Sequence, residues 1–225
     1  MINLKNITVK YGDNVVYQDF SYSFKEGVNV VLGKSGCGKT TLLNVIADLV
    51  KYAGVCQKDG NAALVFQEAC LAPVSVWKNV DLVLRGGKNA QVIESALQLT
   101  GLLDKRNQLA TQLSGGEQQR VSLARAFASG REILLMDEPF SNLDYGTKTG
   151  LRKVLDDLLQ SAPKTVLFVT HDIDDALLLA DRIYVLNNRP AEITQIAEID
   201  TPRSLRHDSD LKLIKLKTQL QQLLM

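Results

Sequence analysis

The chain has 225 residues, 45% hydrophobic and 23% charged, which gives the length and apolar content of a folded domain with a sizeable core and argues against a disordered or fibrous chain. Lys and Arg total 26 against 25 Asp and Glu, so no overall field favours nucleic acid or an anionic bilayer, and no nucleic-acid partner is expected. The three cysteines lack C-x-x-C spacing, Met1-Ile2-Asn3-Leu4-Lys5 is too polar for a secretory leader, and the late apolar run Ala176 to Ala180 falls far short of the roughly 20 residues a spanning helix needs; a reduced cytoplasmic setting fits best.

Ile2/Leu4, Ile7/Val9 and Phe20/Tyr22/Phe24 alternate apolar with polar around a turn signal at Tyr11-Gly12-Asp13-Asn14, so an antiparallel β portion opens the chain. Val28 to Leu32 reads as a buried strand, followed by a Gly-rich loop and a helical pattern over Thr40 to Val50. Ala62 to Phe66 is another buried strand. Val76 to Leu84, Gln91 to Thr100 and Gly116 to Ala128 carry helical periodicity, a helical insert in the middle of the chain. Strands then return at Glu132 to Met136, Thr165 to Thr170 and Arg182 to Leu186, alternating with helices at Thr147 to Gln160 and Asp172 to Leu179. That order implies a mainly parallel α/β sheet. In Asp208 to Met225, Leu211, Ile214, Leu220, Leu223 and Leu224 fall near one side of a helix, which suits docking on the core better than lying on a membrane.

Gly33-Lys34-Ser35-Gly36-Cys37-Gly38-Lys39-Thr40 fits G-x-x-x-x-G-K-[ST] and lies between an expected strand and an expected helix. Glycines let backbone amides turn inward around phosphate oxygens, and the helix N-terminus, with Thr41 in its first turn, adds its positive end. Lys39 is placed for the β- and γ-phosphates and the Thr40 hydroxyl for Mg²⁺. Cys37, beside a helix N-terminus and Lys39, is expected to be a reactive thiol. Farther on, the apolar run Glu132 to Met136 ends in Asp137-Glu138. Asp137 is suited to hold the metal and Glu138 to orient the attacking water. ATP and Mg²⁺ are the ligands expected of such a P-loop NTPase.

With Leu113-Ser114-Gly115-Gly116-Glu117-Gln118-Gln119-Arg120 added, the chain resembles the ABC ATPase family over most of its length. The resemblance implies an α/β fold with a RecA-like core, an N-terminal antiparallel β portion and a helical signature subdomain at about 68–128, all in one domain spanning 1–225. It implies a head-to-tail dimer of identical subunits in which Ser114, Gly115 and Gly116 of one copy close on the γ-phosphate held by the other. Gln67 matches the glutamine that touches Mg²⁺ and water, Asp144 the dimer-contact aspartate and His171 the histidine that senses the γ-phosphate. Tyr11 matches the aromatic that stacks on adenine, and capping the first hairpin is its other reading.

Within the family, Val65-Phe66-Gln67-Glu68, the string from Asp137 to Asp144 and Asn188-Arg189-Pro190 are similar to ATPases of nitrate, sulfonate and taurine importers. That resemblance implies separate transmembrane permease subunits, a solute-binding protein and a place at the cytoplasmic face of the plasma membrane. An exporter or lipoprotein-release ATPase and a non-transport ABC ATPase are the alternatives. Two departures are a short stretch from Lys51 to Asn61 without its usual proline, and Val74 where an aromatic is common; both are expected on the side facing the membrane partner.

Overall fold

The computed structural model describes residues 1–84, 89–141, 143–188, 190–207 and 210–224. Asn142 and Arg189, within two of the importer-like strings, and Asp208 and Met225, at the ends of the expected terminal helix, lie outside the described residues.

Strands β1 (Ile2–Tyr11) and β2 (Asn14–Phe24) form the expected hairpin, with Tyr11 opposite Asn14. Strand β3 (Val28–Leu32) leads through the Gly-rich loop into helix α1 (Lys39–Ile46). This helix stops short of the expected Val50. Asp48 takes a left-handed backbone (φ 58°), held by Lys58 Nζ at 2.5 Å and Tyr52 OH at 3.0 Å, and the Leu49 amide turns back to the Asn44 carbonyl at 2.8 Å. The stretch from Lys51 to Asn61 forms a strand that sequence periodicity did not announce, β4 (Ala53–Lys58). It joins the edge of β1, pairing Ile2 with Lys58 and Leu4 with Cys56. Strand β5 (Ala62–Val65) follows.

Helices α2 (Val76–Asp81), α3 (Ala90–Leu99) and α4 (Gly115–Ala128) gather around Val76, Ile93, Leu97, Val121 and Ala124, a small core of their own. Strand β6 (Ile133–Asp137), helix α5 (Tyr145–Ser161), strand β7 (Thr165–Thr170), helix α6 (Ile173–Leu179) and strand β8 (Arg182–Asn187) then alternate as expected. An edge strand, β9 (Glu192–Glu198), and helix α7 (Leu211–Leu224) complete the described chain.

The main sheet runs β5-β6-β7-β3-β8-β9, parallel except for β9, and a second sheet runs β2-β1-β4. Both faces of the parallel strands are covered, which explains why they read as unbroken apolar runs. Val30, Leu134, Phe168 and Val185 face α5, α6 and α7, while Val31, Leu135, Leu167 and Leu186 face α1 and the antiparallel sheet. Helix α7 does dock on the core, but through Leu213 and Leu220, with Leu216 and Leu224 beside them. Of the expected stripe, Leu211, Ile214 and Leu223 are exposed. No helix among the described residues is long and apolar enough to cross a membrane.

Candidate functional site

Four neighbouring parallel strands deliver the sequence-marked residues to one edge of the sheet. Gly33 follows β3, Gln67 follows β5, Asp137 ends β6 with Glu138 just after it, and His171 follows β7. Above this edge, Tyr11, Ser35, Gly36, Gly38, Lys39, Thr40, Thr41 and Glu138 line a cleft of about 330 Å³. Asn14 and Val16 line it too; sequence reading missed them, although the turn signal beside Tyr11 places them close by.

The phosphate loop needs glycine at Gly38 on two counts. Its φ is 112°, and a Cβ there would sit 3.0 Å from Val16 Cγ1 and 3.2 Å from the Tyr17 hydroxyl. Tyr17 OH donates to the Gly38 carbonyl at 3.0 Å, and burial pushes its phenol pKa up, so it stays a donor. Lys39 is 5% exposed and spans the loop, donating to the carbonyls of Gly33 at 2.8 Å and Lys34 at 3.0 Å. Cys37 differs from expectation. Its side chain is buried in the core cluster that includes Val31 and Leu186, and Cys37 is not among the residues lining the cleft, so it offers no accessible thiol there.

Glu138 joins the groups at the cleft floor. Its Oε1 lies 3.6 Å from Lys39 Nζ and its Oε2 is 2.8 Å from His171 Nδ1. Its backbone is left-handed (φ 43°), unusual for a long side chain, and is fixed by its amide bonding to the Val169 carbonyl at 2.9 Å and by Ser141 Oγ donating to its carbonyl at 2.7 Å. Asp137, half-buried, accepts a hydrogen bond from Thr40; burial pushes its carboxyl up and that bond pulls it back. Thr40 and Asp137 are thus adjacent hard-oxygen donors, a set suited to Mg²⁺. Gln67 is exposed and lies outside the residues lining the cleft. The segment that carries it is tied to α4 at both ends, by Gln119 Nε2 to the Phe66 carbonyl at 3.0 Å and Arg125 to the Cys70 carbonyl at 2.6 Å.

The Ser114 group stands apart from this cleft. Ser114 caps α4 in a reciprocal box with Glu117, whose other oxygen is paired with Lys105. Gly116 packs so closely on Thr147 that a Cβ has no room, whereas a Cβ on Gly115 would meet only Leu143, at 3.8 Å. Thr147 also donates through its amide (3.0 Å) and hydroxyl (2.6 Å) to Asp144, the N-cap of α5. Sequence reading did not mark Thr147, which links Gly116 with Asp144.

A strand–Gly-rich loop–helix cradle with a lysine folded into it, facing two carboxylates at the end of a nearby parallel strand, defines a nucleoside-triphosphate-binding protein of the P-loop class. Residues 17–141 match the family model described as ABC transporter. The chain is 37% identical to an aliphatic sulfonates import ATP-binding protein of Pseudomonas savastanoi pv. phaseolicola, over 97% of this chain and 94% of that protein. It is also 37% identical to the nitrate import ATP-binding protein of Synechococcus elongatus, over 88% and 80%. Among solved structures, a dimeric ATP-binding cassette in a post-hydrolysis state bound to ADP and Pi superimposes with a TM-score of 0.76 at 30% identity, covering 88% of this chain and 100% of that one. The chain belongs to the ABC transporter family, as an ATP-binding subunit with ATPase activity.

Proposed function

We propose that this chain powers the import of a small solute, working as a head-to-tail homodimer beneath separate permease subunits at the cytoplasmic face of the plasma membrane, with the solute delivered by a binding protein. The observation that carries the catalytic part is the line Lys39–Glu138–His171 at the floor of the cleft. The importer part draws on the likeness to sulfonate and nitrate import proteins.

In this reading ATP enters with its adenine against Tyr11 and its phosphates in the loop from Gly33 to Thr41. Lys39 exchanges the carbonyls of Gly33 and Lys34 for β- and γ-phosphate oxygens. Thr40 and Asp137, with Gln67, would hold Mg²⁺, whose charge offsets that of the phosphates. Glu138 orients the attacking water and draws on its proton, while His171 fixes Glu138 Oε2 and reaches toward the γ-phosphate. Ser114, Gly115 and Gly116 of the second copy cover that phosphate from the other side, and Asp144 lies along the dimer contact. Closure on two ATP pulls the permease subunits into a new conformation, and hydrolysis lets them part.

Glu138→Gln tests this directly. Turnover should fall by about 10²-fold or more, and Mg-ATP should convert the variant to a stable dimer on size exclusion. Purified from its own cells in mild detergent, it should bring polytopic membrane subunits with it. Recovery with only ribosomes or DNA-repair proteins would sink the importer reading and leave the ATPase intact.

A further inference from the structure

Ser114 has a single hydroxyl proton, and it goes to Glu117: Ser114 Oγ donates to Glu117 Oε2 at 2.9 Å, the same oxygen that accepts the Ser114 amide at 3.0 Å. A phosphate arriving on this helix end must take over a donor that a carboxylate already holds. Glutamine closes such a capping box as well as glutamate does, so the charge on Glu117 is not needed for the cap. That charge opposes the approach of a triphosphate, because like charges set across an interface weaken association. The opposing charge has a neighbour of opposite sign. Lys105, in the short turn at Leu103–Lys105 outside α4, pairs with the other oxygen, Glu117 Oε1.

We propose that Lys105 is a positioning residue for the ATP bound by the partner subunit: by neutralising Glu117 and holding its Oε1, it lets the Ser114 hydroxyl turn to the γ-phosphate across the dimer. This rests on the head-to-tail reading above, because Lys105 is not among the residues lining its own subunit's cleft. Lys105 also holds the Glu117 carboxyl below the usual range, with the Ser114 bonds helping, so the charge needing compensation is present at neutral pH. A purely structural role, fastening the 103–105 turn to α4, would contribute little, since the Lys105 and Glu117 side chains are 44% and 27% exposed.

The test compares Lys105→Met, Glu117→Gln and the double variant, each in the Glu138→Gln background, by ATP-driven dimerisation on light scattering and by the affinity of the monomer for a fluorescent ATP analogue. Lys105→Met should raise the ATP concentration for half-dimerisation by about tenfold at low salt, leave monomer affinity unchanged, and recover in part at high salt as the exposed Glu117 charge is screened. Adding Glu117→Gln should restore dimerisation to within about twofold of the parent, as expected when the opposing charge is gone. A Lys105→Met variant that dimerises like the parent, or a defect that Glu117→Gln does not relieve, overturns the assignment and leaves the ATPase reading standing. A parent that stays monomeric with Mg-ATP sinks the head-to-tail reading, and the assignment with it.

Discussion

Replacing Arg152 by Met is expected to destabilise the protein through one buried carboxylate. Arg152 on α5 donates to Asp175 Oδ1 on α6 through Nε at 2.7 Å and a terminal nitrogen at 2.5 Å, with Arg152 9% and Asp175 2% exposed. Removing one partner of a buried pair costs about 3–5 kcal/mol because a charge is stranded. Lys148 Nζ stays 3.2 Å from Asp175 Oδ2, so the lower end, about 3 kcal/mol, applies. In a chain of this size that is a fall in Tm of about 6–12 °C.

The loss should depend on pH. Burial already pushes the Asp175 carboxyl up from 3.8, against the pull of Arg152 and Lys148. Without Arg152 it rises further, and a carboxyl whose folded pKa lies above its unfolded value costs stability as pH climbs and the unfolded chain alone ionises. Thermal melts of Arg152→Met against wild type should therefore differ more at pH 8 than at pH 5. Adding Asp175→Asn should recover much of the loss, since the stranded charge is gone. A single variant that melts within about 2 °C of wild type, less than 1 kcal/mol on this scale, or a gap that does not change with pH, would refute the reasoning.

Gly38→Ala should weaken ATP binding by about fivefold or more on calorimetry, since the left-handed backbone and the contacts with Val16 and Tyr17 together cost on the order of 1–3 kcal/mol. Leu213→Ala should cost about 2–4 kcal/mol in urea unfolding, whereas Leu211→Ala, at a 74% exposed position on the same helix, should stay within about 0.5 kcal/mol. A bulky maleimide should label exposed Cys70 long before buried Cys37 when modified peptides are mapped by mass; equal rates would mean that the phosphate loop opens far more than its packing implies.

The phosphate loop, Asp137-Glu138 and the Ser114 group were legible because each is a local string in a fixed strand–loop–helix context. Strands β4 and β9 were not. AGVCQK and EITQIAE lie at sheet edges and bury little, so neither shows strong alternation; each exists through a partner strand. For α7 the periodicity announced a helix but not its orientation, since Leu211 and Leu213 are equally apolar and only the surface of α6 decides which is covered. The sequence neighbours of Cys37 place its backbone in the phosphate loop without saying that its side chain is buried in the core cluster that also holds Val31 and Leu186. Lys105, Thr147 and Arg152 escaped notice for a related reason. Their partners are side chains brought close by folding, and single charged or hydroxyl residues on helices and turns look like ordinary surface.

The strand order β5-β6-β7-β3 lays Gln67, Glu138, His171 and Gly33 in a row, although the chain visits them in another sequence. Adjacent strands are about 4.8 Å apart, so this row spans roughly 14 Å. Backbone ladders set that length, and they do not stretch. On the proposed reading the sheet is a fixed gauge against which a triphosphate is measured, and the presence or loss of its last phosphate would register in the few residues beyond the strand ends. Of these, the segment after β5 is fastened to α4 by Gln119 and Arg125, so on that reading a displacement of the segment would be carried to Ser114, the N-cap of the same helix.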